Sequence, residues 1–140
     1  MKVSASSSPE TDIRASIGIG LVKSPIKVLH TATDEAFVLS GRAFDGMGGE
    51  RLLITCSDAN KKIQLGLKVI AHFADYIFRR ITTKQAAVVF ELLMKRTQVE
   101  TAKKLKKSQA TVNKHLQAAG WPDIEELLME YRLLIEAIEI

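Results

Sequence analysis

The segment Thr97 to Trp121, TQVETAKKLKKSQATVNKHLQAAGW, is the most informative part of this chain. Its first half repeats apolar residues at helical spacing, at Val99, Ala102 and Leu105. Ser108 is a good N-cap for a second helix, whose apolar face is then Val112 and Leu116. The small Ala102 lies where two crossing helices would approach each other closely. The spacing therefore predicts a helix-turn-helix.

The second of these helices, over about 109–119, is predicted to turn polar side chains outward, namely Gln109, Thr111, Asn113, Lys114 and Gln117. Asn and Gln can hydrogen-bond adenine edges, and Lys can reach guanine or phosphate. The first helix and the turn add four lysines that are expected to contact phosphates: Lys103, Lys104, Lys106 and Lys107. The predicted DNA contacts also include Thr97, Gln98 and Ser108. The alternative is an ordinary helical hairpin with a solvated polar face.

Charge is strongly segregated along the chain, whose net charge is +4. Residues 1–59 carry six basic and seven acidic residues, and residues 60–120 carry thirteen basic and three acidic residues. Residues 121–140 carry one basic and six acidic residues. A block of +10 that overlaps a helix-turn-helix favours a polyanionic partner, and double-stranded DNA is the one expected.

Length and composition limit the other classes of protein. The 140 residues suit one domain or two small ones. No stretch resembles a membrane span of about 20 apolar residues, and no membrane partner is expected. The N-terminal MKVSASSSPE lacks the apolar core of a signal peptide. The single cysteine, Cys56, excludes an internal disulfide and is predicted to be a small core residue in a reducing cytoplasm.

The first 59 residues have a β-α-β pattern, in which residues 13–59 form a partial α/β module. Residues 1–12 are Ser-rich and predicted to be disordered. Residues 13–22 alternate apolar and small residues as a strand does, and 23–32 are predicted to be a loop. A helix over 33–44, broken by the glycines at 46–49, precedes a strand over 51–56.

From residue 60 the apolar period becomes helical. A connecting helix over 60–81 is predicted to bury Ile63, Leu67, Ile70, either Phe73 or Ala74, and Ile77. Thr82 or Thr83 is expected to cap the next helix, which opens a DNA-binding domain over 82–120 and is predicted to bury Ala86, Val89, Phe90 and Leu93. Gly120 should end the helix over about 109–119, which is the predicted recognition (reader) helix, and Pro122 should begin the last helix. The predicted fold class is therefore α+β and mostly helical.

The last helix, over 121–140, carries heptad-spaced apolar residues: Ile124, Leu127, Tyr131, Leu134 and Ile138. Such a set serves either to pair two copies or to pack the helix on its own domain, and both alternatives stay open. A homodimer is expected because reader helices commonly bind two half-sites. The exposed strands of a small α/β unit are a second possible interface.

Residues 82–121 resemble the helix-turn-helix of sigma factors and LuxR-type regulators. The order of Arg14 with IGIG at 17–20, GRAF at 41–44, and AAGW at 118–121 is similar to that of the SatD family. This resemblance implies a cyclase-like α/β part, here lacking its first half, followed by a DNA-binding domain. The turn has Lys106-Lys107 where such motifs usually have glycine, which predicts either a positive φ or a longer turn.

The remaining glycines and histidines give weaker signals of chemistry. Gly18 and Gly20 could form a phosphate loop, but they lack a third glycine and are better explained by a helix lying close to the strand. His30, His72 and His115 are widely separated, and only His115 has a plausible role, as a phosphate contact. No metal site, cofactor or catalytic grouping is predicted. The expected function is a cytoplasmic, sequence-specific transcriptional regulator that is not an enzyme, with an effector that the residues do not define. The alternatives are a degenerate cyclase-type nucleotide-binding module and a protein-interaction adaptor.

Overall fold

The computed structural model describes residues 2–3, 11–23, 33–57 and 61–138. Within these ranges the strands are β1 (Lys2–Val3), β2 (Thr11–Asp12), β3 (Ala15–Ile19) and β4 (Leu52–Cys56). The helices are α1 (Glu35–Asp45), α2 (Lys61–Arg80), α3 (Thr83–Leu93), α4 (Gln98–Lys104), α5 (Gln109–Ala119) and α6 (Trp121–Glu136). The predicted class, α+β and mostly helical, is confirmed.

The chain forms two compact units. We call Met1–Ile13 with Tyr76–Leu127 the helical unit, and Arg14–Asp75 with Leu128–Ile140 the α/β unit. This division does not follow the linear segments expected from the sequence, because α2 and α6 each contribute residues to both units. A helix that ends one unit and begins the other gives no change of composition by which a boundary could be located.

In the α/β unit, β3 and β4 pair in parallel with Ala15 opposite Leu52 and Ile19 opposite Cys56. The intervening α1 completes the predicted β-α-β, although β3 is shorter than the expected strand over 13–22. Helices α2 and α6 cover the sheet. Ile54 and Cys56 of β4 pack with residues of α2, of α6 and of the segment just after α6: Leu67, Ala71, Tyr131, Leu134, Ile135 and Ile138. Cys56 is thus a buried core residue, as predicted.

The outer edge of β4 is closed by a side chain. The backbone N–H of Cys56 donates to Gln64 Oε1 at 2.7 Å, and Gln64 Nε2 donates to the carbonyl of Ile54 at 3.2 Å. The amide of Gln64 on α2 therefore replaces the backbone of a neighbouring strand. Such capping protects an edge from pairing with other chains.

The helical unit is built from α3, α4 and α5 around one apolar core. Val88, Val89, Ala102, Val112, Leu116 and Ala119 are buried there together with Ile81 and Ile124. The burial of Ala102 between crossing helices, of Val112 and Leu116, and of Val89 confirms those predictions. Leu105 and Ala86 pack against the same core while staying partly accessible.

Three apolar residues predicted to face this core are exposed instead: Val99, Phe90 and Leu93. On α4 the buried face is formed by Thr101 and Ala102. Since each residue advances a helix by about 100°, Val99 lies roughly opposite Thr101. On α3 the buried face contains Val88, Val89 and Glu91, so Phe90 points away from it. In α2 the alternative between Phe73 and Ala74 is decided for Ala74, which is buried.

The prediction that residues 1–12 are disordered is wrong for four of them. Lys2–Val3 pairs in antiparallel fashion with Thr11–Asp12, and the remaining residues of that segment lie outside the described part of the chain. Strand pairing needs only backbone groups, so a Ser-rich composition does not exclude it. The predicted loop over 23–32 lies outside the described residues except for Lys23, and so does His30.

The heptad-spaced face of α6 is used inside the chain. Ile124 is buried in the core of the helical unit, and Tyr131, Leu134 and Ile138 pack on the core of the α/β unit. Of the two alternatives for this face, packing on its own domain is the one observed. Among the described residues, no helix is long and apolar enough to cross a membrane.

Candidate nucleic-acid interface

Side chains fix the start of each helix in the helix-turn-helix region. The Thr82 hydroxyl accepts a hydrogen bond from the backbone N–H of Gln85, and the side-chain oxygen of Gln85 accepts one from the backbone N–H of Thr82. Thr97 and Glu100 form the same capping box at the start of α4. Ser108 accepts from the backbone N–H of Thr111 at 3.1 Å, as predicted for a cap of α5. These bonds satisfy donors that a helix start leaves free.

The turn between α4 and α5 is short because the left-handed residue Lys106 stops α4 abruptly after Lys104. This residue has φ +52°, and Lys107 donates its N–H to the carbonyl of Ala102 at 2.9 Å. Together with the bond from Lys106 to Lys103, this is a Schellman ending, which normally favours glycine at the left-handed position. Of the two geometries predicted for Lys106-Lys107, the positive φ is the one observed.

The preceding helix ends in the same way. Lys95 has φ +61°, and Arg96 donates its N–H to the carbonyl of Glu91 at 3.1 Å. Two lysines therefore occupy left-handed positions at the ends of α3 and α4. A left-handed residue that carries a Cβ costs about 1–2 kcal/mol, so each of these turns holds a lysine at a conformational cost.

Helix α5 is anchored by one face and exposes the other. Val112, Leu116 and Ala119 are buried, and Gly120, with φ +70°, ends the helix as predicted. The exposed face carries Gln109, Asn113, Lys114 and Gln117. Gln109, Asn113 and Gln117 are spaced by four residues, so their side chains lie in one row along the helix. The structure thus brings together four of the five polar residues predicted to face outward.

Thr111 is the fifth, and it is only half-exposed. Its hydroxyl lies 2.9 Å from that of Ser108, and its backbone N–H is held by the same cap. Thr97 is likewise occupied, because its backbone and its hydroxyl both donate to Glu100. Thr97, Ser108 and Thr111 therefore position the ends of the two helices. Gln98, at the first position of α4, is half-exposed.

The three acidic residues of the +10 segment are all held by neighbouring groups. Asp75 is buried and accepts the backbone N–H of Arg51, while Glu100 caps α4. Hydrogen bonds from the backbone and hydroxyl of Thr97 lower the pKa of Glu100 below its ordinary value. Glu91 is buried and forms two ion pairs. The three acidic side chains of this segment therefore form contacts within the fold.

Glu91 on α3 binds Arg96, in the segment between α3 and α4, and Lys104 at the end of α4. Its carboxylate is 2.5 Å from Arg96 Nη1 and 2.9 Å from Lys104 Nζ, and its side chain is only 6% exposed. The hydrogen bond from Lys104 is the main cause of a lowered pKa for Glu91, with Arg96 acting in the same direction and burial opposing it. The carboxylate is therefore ionised at neutral pH.

This cluster changes how the predicted phosphate contacts are interpreted. Lys104 neutralises Glu91, so it acts first as part of the fold. Within the described residues, four exposed or half-exposed lysines around the two helices form no ion pair: Lys103, Lys106, Lys107 and Lys114. Their ammonium groups are available to an anion. His115 is half-buried on α5.

Sequence reasoning missed two features of this region. Ala110 is exposed in the first turn of α5, beside the polar row, where its methyl group could meet a thymine methyl. The cluster of Glu91, Arg96 and Lys104 was also missed. A single carboxylate inside the apolar run AVVFELL was the signal, because a buried charge requires a partner.

In the α/β unit, the contacts around Gly18 and Gly20 bear on the alternative of a phosphate loop. A Cβ on Gly18 would lie 2.1 Å from the carbonyl oxygen of Ala36, so Gly18 lets α1 lie directly on β3. The backbone N–H of Leu21 donates to Glu35 Oε2 at 3.1 Å. This backbone donor next to Gly20 is thus bonded to a carboxylate of the same unit. Among the described residues, no group of three or more potential ligands could hold a metal ion.

No protein-family model, curated protein or solved structure matches this chain. The similarity to the SatD family and to the regulators with a helix-turn-helix therefore stays a prediction, based on short motifs.

Proposed function

We propose that this protein is a cytoplasmic, sequence-specific DNA-binding protein that regulates transcription. The observation on which this rests is the exposed row of Gln109, Asn113 and Gln117 on α5, together with four lysines of the same region that form no ion pair among the described residues. A buried face anchors this helix while its polar face is presented to solvent. That is the arrangement by which reader helices enter the major groove.

In this proposal α5 contacts the bases, whereas the end of α4 and the following turn contact the phosphates. The N-terminal half of α5, with Gln109 and Asn113, contacts base edges, because the first turns of a reader helix reach deepest into the groove. Lys103, Lys106 and Lys107 lie at the end of α4 and in the turn, and they contact phosphates. Phosphate contacts position the helix, and base contacts select the sequence.

Salt dependence is the first test of this function. Four phosphate contacts from Lys103, Lys106, Lys107 and Lys114 would displace counterions, so log affinity should fall against log salt with a slope of about −3.6 per bound subunit. Measurement uses fluorescence anisotropy with duplexes selected from random DNA. A flat salt response would contradict binding through this surface.

A pair of variants separates base reading from phosphate binding. Asn113→Ala should lose about 1–3 kcal/mol of preference for the selected duplex over a scrambled one. Lys106→Gly is the matched control, since it removes a charge while permitting the left-handed turn, and it should weaken binding to both duplexes equally. Equal losses on both duplexes for Asn113→Ala would reject the base-reading role.

A second candidate function is a protein-interaction adaptor, which is favoured by the exposure of Phe90, Leu93 and Met94 on and after α3. An interaction through these residues would be insensitive to salt and to the charge of α5. The variants Lys103→Ala and Lys114→Ala discriminate between the two functions. They should reduce binding only if the partner is a polyanion.

A further inference from the structure

Helices α2 and α6 of the α/β unit keep apolar side chains on the sides that face away from its core. On α2, Leu65, Val69 and Phe73 are 66%, 49% and 54% exposed and are spaced by four residues, so they form one stripe. On α6, Met129 and Leu133 are 64% and 58% exposed at the same spacing. Exposed apolar rows on neighbouring helices indicate a surface that another molecule covers.

The two helices are direct neighbours on the same apolar cluster. Both pack on the cluster around Ile54 and Cys56, and a Cβ on Gly66 of α2 would lie 2.9 Å from Leu134 Cδ1 of α6. Both helices bury one face against this cluster, and their other faces are the exposed layer that carries these apolar rows. We call this layer the outer face.

The two halves of the outer face carry opposite charge. On α2 itself the exposed charged residues of this unit are basic, namely Lys61, Lys62 and Lys68, and the exposed Glu50 lies near Lys68. The one acidic residue of this part of α2, Asp75, is buried. Beside the α6 stripe, Glu130 and Glu136 are exposed together with Arg132, and Glu125 and Glu126 precede them on the same helix. An apolar, basic helix thus lies next to an apolar, mostly acidic one.

We propose that the outer face binds a second copy of this chain, with α2 of one copy on α6 of the other in both directions. A two-fold axis places α2 of each copy against α6 of the other copy, so the same contact forms twice, as in any isologous dimer. The four helices then form a bundle in which both apolar stripes are buried and lysines face glutamates. Pairing α2 with α2 would instead place like charges together. The chain itself therefore supplies the partner that fits both halves.

This dimer replaces the interface expected on the heptad-spaced face of α6, which is already occupied inside the chain. It does not depend on DNA binding, and its test contains no DNA. Failure of the DNA-binding proposal would leave the dimer unaffected, and the reverse also holds.

A charge exchange tests the interface on the full-length chain. One variant carries Lys62→Glu with Lys68→Glu, and the other carries Glu130→Lys with Glu136→Lys. Sedimentation equilibrium from micromolar to hundreds of micromolar should show a dimer for the parent chain. Each variant alone should dimerise about tenfold more weakly or worse, because like charges would then face each other. An equimolar mixture should recover the dimer, since both contacts are again between opposite charges.

The matched control is Lys84→Glu with Lys103→Glu, which changes net charge as the first variant does but lies on α3 and α4. This control should dimerise like the parent chain. A monomeric parent chain at hundreds of micromolar, or a mixture no more dimeric than its components, overturns the proposal. Leu133→Gln provides a second measurement should a charge variant unfold. It should shift the chain toward monomer with unchanged helical circular dichroism, and unaltered dimerisation would also overturn the proposal.

Discussion

Glu91 shows how one buried residue can hold two helices together. Its carboxylate lies inside an apolar helix and binds Arg96 and Lys104. These partners lie just after α3 and at the last position of α4, so the cluster ties the two helices together. A buried carboxylate with two cationic partners is stable, whereas the loss of one member leaves unpaired polar groups.

Replacing Glu91 with Gln should make the free energy of unfolding depend less on pH in the acidic range. Because the pKa of Glu91 is lowered from its ordinary value of 4.5 in the folded state, its ionisation stabilises the fold above about pH 4.5. That contribution is lost as pH falls through the lowered pKa. At pH 7 Glu91→Gln should cost about 1–2 kcal/mol, and the difference from the parent chain should shrink in acid. Urea unfolding at several pH values measures this.

Glu100→Gln is the control for that experiment. Glu100 is exposed, and glutamine also forms a capping box, so this change should cost clearly less stability at pH 7 than Glu91→Gln does. A cost for Glu100→Gln equal to that for Glu91→Gln would show that burial and ion pairing of Glu91 contribute nothing.

At the scale of elements, the close contact between α1 and β3 depends on Gly18, because glycine has no side chain. Gly18 lies beneath α1, and a Cβ there would lie 2.7 Å from the backbone nitrogen of Ser40 as well as 2.1 Å from the oxygen of Ala36. Backbone atoms cannot rotate away as a side chain can. The helix and the strand can therefore keep this spacing only with glycine.

Gly18→Ala should destabilise the α/β unit by about 1–3 kcal/mol or more, because α1 must move off the sheet. Gly41→Ala is the matched control on α1 itself. A Cβ on Gly41 would meet no atom within 4 Å, so alanine should stabilise the helix by about 0.5–1 kcal/mol. Thermal unfolding of both variants measures these effects. Tolerance of Gly18→Ala would contradict the close packing.

For the whole molecule, α6 distributes its side chains between its own core and its surface. Leu134 packs on the core of the α/β unit against Gly66, whereas the adjacent Leu133 is 58% exposed. Successive residues on a helix point about 100° apart, so one leucine serves the fold and the next is free for the proposed dimer.

Leu134→Ala should lower the free energy of unfolding by about 1–3 kcal/mol, because it opens a cavity beside the sheet. Leu133→Ala should change it by less than about 0.5 kcal/mol when both are measured at one low protein concentration. Urea unfolding gives both values. A larger cost for Leu133 than for Leu134 would contradict the described packing of α6.

Local signals account for what could be predicted from the residues alone. The caps at Thr82 and Ser108, the end of α5 at Gly120, and the boundaries of α5 follow from hydrogen-bonding and φ preferences within a few residues. The row of Gln109, Asn113 and Gln117 follows from helical spacing once Val112 and Leu116 are assigned to the core. Such features depend on neighbours in the chain, which a sequence displays directly.

Tertiary contacts decided the rest. Whether Phe90 or Glu91 faces the core depended on Lys104, thirteen residues beyond Glu91, and the heptad-spaced face of α6 found its partners in β4 and α2. Helical periodicity gives a stripe but does not state which surface will cover it. The sequence by itself determined the elements and their class, because these arise from local geometry. Only the packed chain determined which charged side chains form ion pairs within the fold, and which lysines and apolar stripes stay exposed, because burial depends on residues far apart in sequence.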